Sequence, residues 1–140
     1  MKFIESTYEN GLSTVTVEHM GMHFIGTARL HPDDEPYASE YAGCGIAESR
    51  AVIAALKHER KIRKNQCEEC RKFVKACMGY KNFDKESPTA KAIFRQLNQR
   101  IKQVNELADE INAIYKSIDR GIWQRDLILK SIKAKKDKQD

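Results

Sequence analysis

Arg95, Asn98, Gln99 and Lys102 lie at helical separations of one, three and four along one polar stretch. Side chains three and four apart share a helix face, so this group can act together. Arginine's planar fork takes phosphate oxygens two at a time, amides can read a base edge or a ribose, and lysine adds a point charge. Phe83, a short way upstream, has a ring suited to stacking on a purine. Together these residues predict a pocket for a phosphorylated nucleoside, and Arg120 joins the candidate set further along. The start of the helix that carries them would add free amides and a positive dipole end, a favourable place for a pyrophosphate. Arg29 and Lys57 form a second candidate pair. If the strands of several subunits met at a symmetry axis, the two cations could ring a cyclic oligonucleotide. Ordinary solvated helices carry the same residue types, so spacing alone does not decide either site.

Cys67-Glu-Glu-Cys70 has the look of a metal knuckle, with Cys44 and Cys77 as the remaining thiols. However, Cys67, Cys70, Val74 and Cys77 run at spacings of three, four and three, a helical stripe of small apolar residues. Cysteine packs well as a small hydrophobe, and zinc knuckles of this kind usually come from loops. Packing is the expected role, with no metal site and no cofactor. Catalysis is not expected either. His19, His23, His31 and His58 have no cysteine or serine partner at a recognisable spacing, and Ser49, Asp109 and Glu110 match no nucleophile or general-base pattern. The 7 glycines are scattered singly and cradle no phosphate.

The element that must position Arg95 and its neighbours runs from Ser87 to about Ile122. Phe94, Leu97, Ile101, Val104, Ala108, Ile111, Tyr115, Ile118 and Ile122 alternate at spacings of three and four, the seam of a packed helix. Ser87 is placed to cap it and Pro88 to open it. At ~1.5 Å per residue the helix is ~50 Å long, more than one small domain can cover, so a partner helix, another subunit or both is required. Ile46 to about Tyr80 reads as a first helix with a basic band at Lys57, Arg60, Lys61, Arg63 and Lys64. The run Gly79–Asp84 turns the chain back into an antiparallel hairpin.

Upstream, residues 2–8, 13–20 and Met22–Leu30 are strand-like, with Glu9-Asn10-Gly11 as a hairpin signal and Gly21 as a second break. The small residues Gly26 and Ala28 predict that another element approaches their face closely. His31–Gly45 reads as a long polar loop. The expected fold is α+β: an N-terminal antiparallel three-stranded β-meander followed by a long antiparallel helical hairpin, assembled into an oligomer. It forms one domain over residues 1–140, with 1–43 as meander and loop, 44–136 as helical hairpin and 133–140 as a frayed tail.

The charge is unevenly placed. Residues 1–43 carry two basic and seven acidic side chains, and residues 44–140 carry 23 basic and 13 acidic, so the helical part attracts anions. Sparse aromatics on the basic faces, with Phe94 and Tyr115 on the seam, argue against nucleic acid as the expected partner. A basic helical nucleic-acid-binding or coiled-coil adaptor protein stands as the alternative class. No apolar run reaches the ~20 residues of a membrane span, and Met1–Tyr8 is too short and polar for a signal peptide, so an intracellular protein without membrane contact is expected.

Three stretches carry a likeness to a known family: FIESTYENGLSTVTVEHMG, LHPDDEPYASEYAGCGIAESRAVIAALK and TAKAIFRQLNQRIKQVNELAD. They resemble the first-described Thoeris anti-defence family of bacteriophages, over roughly residues 3–112. That resemblance implies a non-enzymatic sponge in the host cytoplasm. Its ligands would be the cyclic ADP-ribose isomers made by bacterial TIR-domain immune enzymes, with cyclic trinucleotides at a separate site. It also implies a hexamer built from dimers. The family's ligand arginines do not align securely here, so the site residues named above rest on their chemistry.

Overall fold

A computed structural model describes residues 1–29 and 36–119, with the backbone alone for 36–41 and 119. Strands β1 (Lys2–Glu9), β2 (Leu12–His19) and β3 (Met22–Arg29) form one antiparallel sheet in the order β1-β2-β3. Helices α1 (Pro36–Met78) and α2 (Pro88–Asp119) follow. The fold is therefore α+β, a three-stranded meander and then two long helices.

Both strand connections are two-residue turns, because Glu9 pairs with Leu12 and His19 with Met22. Asn10 and Gly11 take φ of 51° and 77°, and Met20 and Gly21 take 54° and 75°. Positive φ at both central positions is the turn whose twist matches the flanking strands. Asn10 suits it. Met20 does not, and holds a left-handed conformation because the strand register demands it.

The register shifts between Phe3 and Glu5, leaving Ile4 as an extra residue on β1. This bulge re-aims the rest of the strand. Phe3, Ser6 and Tyr8 then sit opposite Val17, Val15 and Ser13, and Phe24, Gly26 and Ala28 flank the same three from β3. One face of the sheet results, and α1 packs on it: Val15, Val17 and Ala28 are buried with Ala47, Ala51 and Ala55, edged by Phe3, Phe24 and Ile46. A Cβ on Gly26 would overlap the Ala47 carbonyl oxygen and the Ala51 nitrogen. The close approach expected at Gly26 and Ala28 is the backbone of α1. Arg50 Nη1 donates to the Thr27 carbonyl at 2.7 Å and ties the helix to the outer edge of β3.

The expectation of a loop over His31–Gly45 is corrected: the chain is helical from Pro36. Pro36 takes the first helical position, where proline is well tolerated. Gly43 and Gly45 argue locally against helix, but position 43 faces Ser13 Oγ so closely that a Cβ there would lie 2.7 Å from it. Docking against the sheet outweighs the glycine penalty of ~1 kcal/mol per residue. Residues 30–35 and 120–140, including Arg120 and the expected tail, lie outside the described residues.

The chain divides into two compact units, Met1–Lys57 together with the chain from Ile111, and His58–Glu110. In the second unit the two helical segments run antiparallel, with Arg100 Nη1 3.5 Å from Gln66 Oε1. Cys67 and Val74 are buried on α1, and Ala90 and Val104 on α2. In the first unit the expected seam needs one correction. Tyr115 is 41% exposed while Ile114 is 9% exposed. Ile111 on the expected seam is buried as well, so the buried line here runs through Ile111 and Ile114 and leaves the Tyr115 side exposed.

Candidate functional site

The tip of the second unit is built from local rules. α1 stops at Met78, and the Gly79 and Tyr80 amides bond back to the Ala76 and Cys77 carbonyls, both at 3.2 Å. Ser87 Oγ accepts the Ala90 amide at 3.1 Å, the expected N-cap. The Ser87 carbonyl accepts the Lys91 amide at 3.0 Å. Pro88 has no N–H, so Thr89 is the one first-turn amide left over. The helix start is thus spent on its own cap, and Asp84 and Glu86 stand beside it. A pyrophosphate site there, as expected from the sequence, finds few donors and the wrong charge.

A cavity of about 650 Å³ opens at this tip between Cys77, Tyr80, Phe83, Ala90 and Ile93. Phe83 is half-buried and meets Phe94 edge-to-face, with ring centroids 6.2 Å apart and planes at 82°. Such a pair contributes about 0.5–1.5 kcal/mol beyond its buried area. Phe83 is therefore part of the hairpin's packing and lines the tip cavity, apart from the Arg95 group.

Arg95, Asn98, Gln99 and Lys102 do come together, as their spacing predicts. With Lys91 and Phe94 they line a depression of about 460 Å³ along one face of α2. Lys91 and Phe94 were not among the expected residues. Their signal is present in the sequence, since Lys91 precedes Arg95 by one turn and Phe94 precedes Asn98 by one turn, but Phe94 also falls on the seam repeat, which masks its place beside the polar group. Phe94 is half-buried, which leaves part of its ring facing the depression.

The charges here are available. Lys91 Nζ lies 3.5 Å from Glu86 and Lys102 Nζ 3.9 Å from Glu106, both pairs well exposed and so weakly held. Arg95, Asn98 and Gln99 are exposed and make no hydrogen bond or ion pair among the described residues. An unengaged guanidinium between two lysines and next to two unengaged amides can accept an anion without first breaking any contact. All the lining residues are on a single helix, so the depression has a floor and no opposite wall.

The second candidate pair is not brought together within one chain. Arg29 is exposed at the end of β3, beside Ala28, whose register partner Ser13 lies 3.8 Å from Cys44. Lys57 is thirteen residues beyond Cys44 on α1, or about 20 Å along the helix. Lys57 Nζ is also engaged, 2.7 Å from Tyr115 Oη. The ammonium sits 5.2 Å from the ring centroid, off the hydroxyl end of the tyrosine and not over its face. The contact is therefore a hydrogen bond.

The four thiols are all free, with Cys44 and Cys67 buried and Cys70 and Cys77 half-buried. Cys44 lies between the Ser6 and Ser13 hydroxyls at 3.9 and 3.8 Å. Among the described residues no three His, Cys, Asp or Glu side chains cluster as a metal site, and no helix is long and apolar enough to cross a membrane. Comparison with family models, curated proteins and solved structures returns no match.

Proposed function

We propose that this protein is a phage anti-defence sponge that binds TIR-derived cyclic ADP-ribose signals (glyco-cyclic ADP-ribose isomers). It holds them uncleaved in the host cytoplasm and so blocks Thoeris-type immunity. The observation that carries this reading is the unengaged Arg95 with Asn98 and Gln99 on one open face of α2. A cyclic ADP-ribose presents a pyrophosphate, riboses and a purine. Arg95 would take the pyrophosphate in its fork, the two amides the ribose hydroxyls or base edge, and Phe94 the face of the purine. Lys91 and Lys102 add to the attracting field. Guanidinium and amide groups neither give nor take protons near neutral pH, which suits retention and not cleavage. The sequence resemblance supplies the ligand class.

A ligand of this size buries most of its surface when bound tightly. One helix face does not provide that, so the second wall comes from another subunit in this reading. The assembly is a dimer at least, and a hexamer by the resemblance. Exposed apolar side chains such as Phe73 and Tyr80, at 58% and 73%, are available to such contacts. Cyclic trinucleotides would bind where Arg29 and Lys57 of several subunits converge, with Lys57 exchanging its tyrosine bond for a phosphate.

The test is retention. The protein is incubated with a cyclic ADP-ribose isomer, filtered free of unbound ligand and heat-denatured, and the released small molecule is identified. Recovery of unmodified ligand is expected. A cleaved product would make the protein an enzyme and sink the reading, as would failure to retain any ligand. Light scattering that gave a monomer mass at micromolar concentration would remove the assembly.

A further inference from the structure

The basic residues of α1 in the second unit are not spread around the helix. Lys61, Lys64, Arg71, Lys72 and Lys75 are all exposed. At 3.6 residues per turn they fall within an arc of about 100° on one side. Glu68 is the acidic residue inside that arc, and it is paired with Arg71 at 3.4 Å. Lys61, Lys64, Lys72 and Lys75 make no ion pair or hydrogen bond among the described residues. From Lys61 to Lys75 the row rises about 21 Å along the helix. A helix that merely needed solubility would mix both signs here, as α2 does with Lys102 and Glu106.

We propose that this row is a docking surface for the phosphate backbone of duplex nucleic acid, engaged without regard to base sequence. Over about 21 Å of axis the two strands of a duplex present about twelve phosphates, one per ~1.7 Å, and those that wind past the facing side are enough to pair with the row's lysines. Lysine suits such contacts, because a mobile point charge follows a backbone without demanding one bidentate geometry. A single strand would instead call for aromatic rings beside the cations on which bases could stack. A membrane surface would call for an apolar flank to enter the lipid. The row has neither, since Phe73, the large exposed apolar residue of this segment, projects from the opposite side of the helix. This surface is separate from the Arg95 face, which lies on α2.

The experiment uses the full chain and a fluorescent duplex of about 20 base pairs and arbitrary sequence, titrated by anisotropy over a range of salt. Four unengaged lysines predict that the logarithm of the binding constant falls with the logarithm of salt at a slope of about −3.6. A Lys64→Glu/Lys72→Glu variant should fold as the parent does, because both lysines are exposed and neither makes a hydrogen bond or ion pair among the described residues. Its slope should be shallower by about 2, and its low-salt binding at least about tenfold weaker. The same variant should retain the cyclic ADP-ribose isomer as the parent does, so the two readings fail separately. Parental duplex binding in the variant would overturn the proposal, as would no duplex binding at low salt. Tighter binding to a single strand of the same length, or binding to anionic vesicles in place of the duplex, would overturn it too.

Discussion

Replacing Gly26 with alanine tests how the sheet and α1 are joined. The added Cβ would lie 3.0 Å from the Ala47 carbonyl carbon, and nearer still to the Ala47 oxygen and the Ala51 nitrogen. Carbon atoms rest about 3.5–4.0 Å apart, and the obstructing atoms are helical backbone, which cannot swing aside as a side chain can. α1 must therefore withdraw from β3. A gap of about 0.5–1 Å forfeits a quarter to a half of the dispersion attraction across it, and here it opens over Val15, Val17, Ala47, Ala51 and Ala55. Overpacking in a core costs about 1–3 kcal/mol, and a backbone clash belongs at the upper end. Alanine also restricts the unfolded chain, which returns about 0.4–1 kcal/mol. The clash wins, and the net loss is about 2–3 kcal/mol. Urea denaturation at one fixed protein concentration measures it, since assembly would make stability depend on concentration. Gly21→Ala is the control, because nothing lies within 4 Å of its Cβ and only its positive φ of 75° opposes the change. That variant should lose about 1–2 kcal/mol. A loss under about 0.5 kcal/mol for Gly26→Ala would refute the close approach.

Arg95→Ala should weaken cyclic ADP-ribose binding by about 1.5–3 kcal/mol in calorimetry, as for a lost charge-assisted hydrogen bond, while leaving the melting temperature unchanged because Arg95 makes no hydrogen bond or ion pair among the described residues. Wild-type affinity would move the site elsewhere. Ser87→Ala removes the cap on Ala90 and should lower unfolding free energy by about 1 kcal/mol; a neutral result in denaturation would mean the cap is replaced by solvent at no loss. Met20→Asn puts a residue that tolerates left-handed φ at a position now at 54°, and should raise stability by about 1 kcal/mol in the same assay.

Much of this protein was legible because it is governed by neighbours in sequence. Asn10-Gly11 closes a hairpin through its own backbone preferences, Ser87-Pro88 opens a helix through its own hydroxyl and ring, and Arg95, Asn98, Gln99 and Lys102 share a face by helical arithmetic alone. The alternation and the seam repeat were enough to give the class, a meander followed by two long helices. Other features depended on what lies across space. The helix begins at Pro36, against local glycine content, because Gly43, Cys44 and Ala47 fit against the sheet. Ile111 and Ile114 are buried and Tyr115 is exposed, a choice made by what packs on that part of α2 and not by the repeat. Phe83 points to Phe94 and the tip cavity, and the Ser87 cap uses up the helix start that a phosphate would have needed. The lysine row on α1 was visible as composition, but only the fold showed which side of the helix stays exposed and which ions were already paired. Local rules settle the backbone path, whereas burial and pairing are settled by residues far apart in sequence.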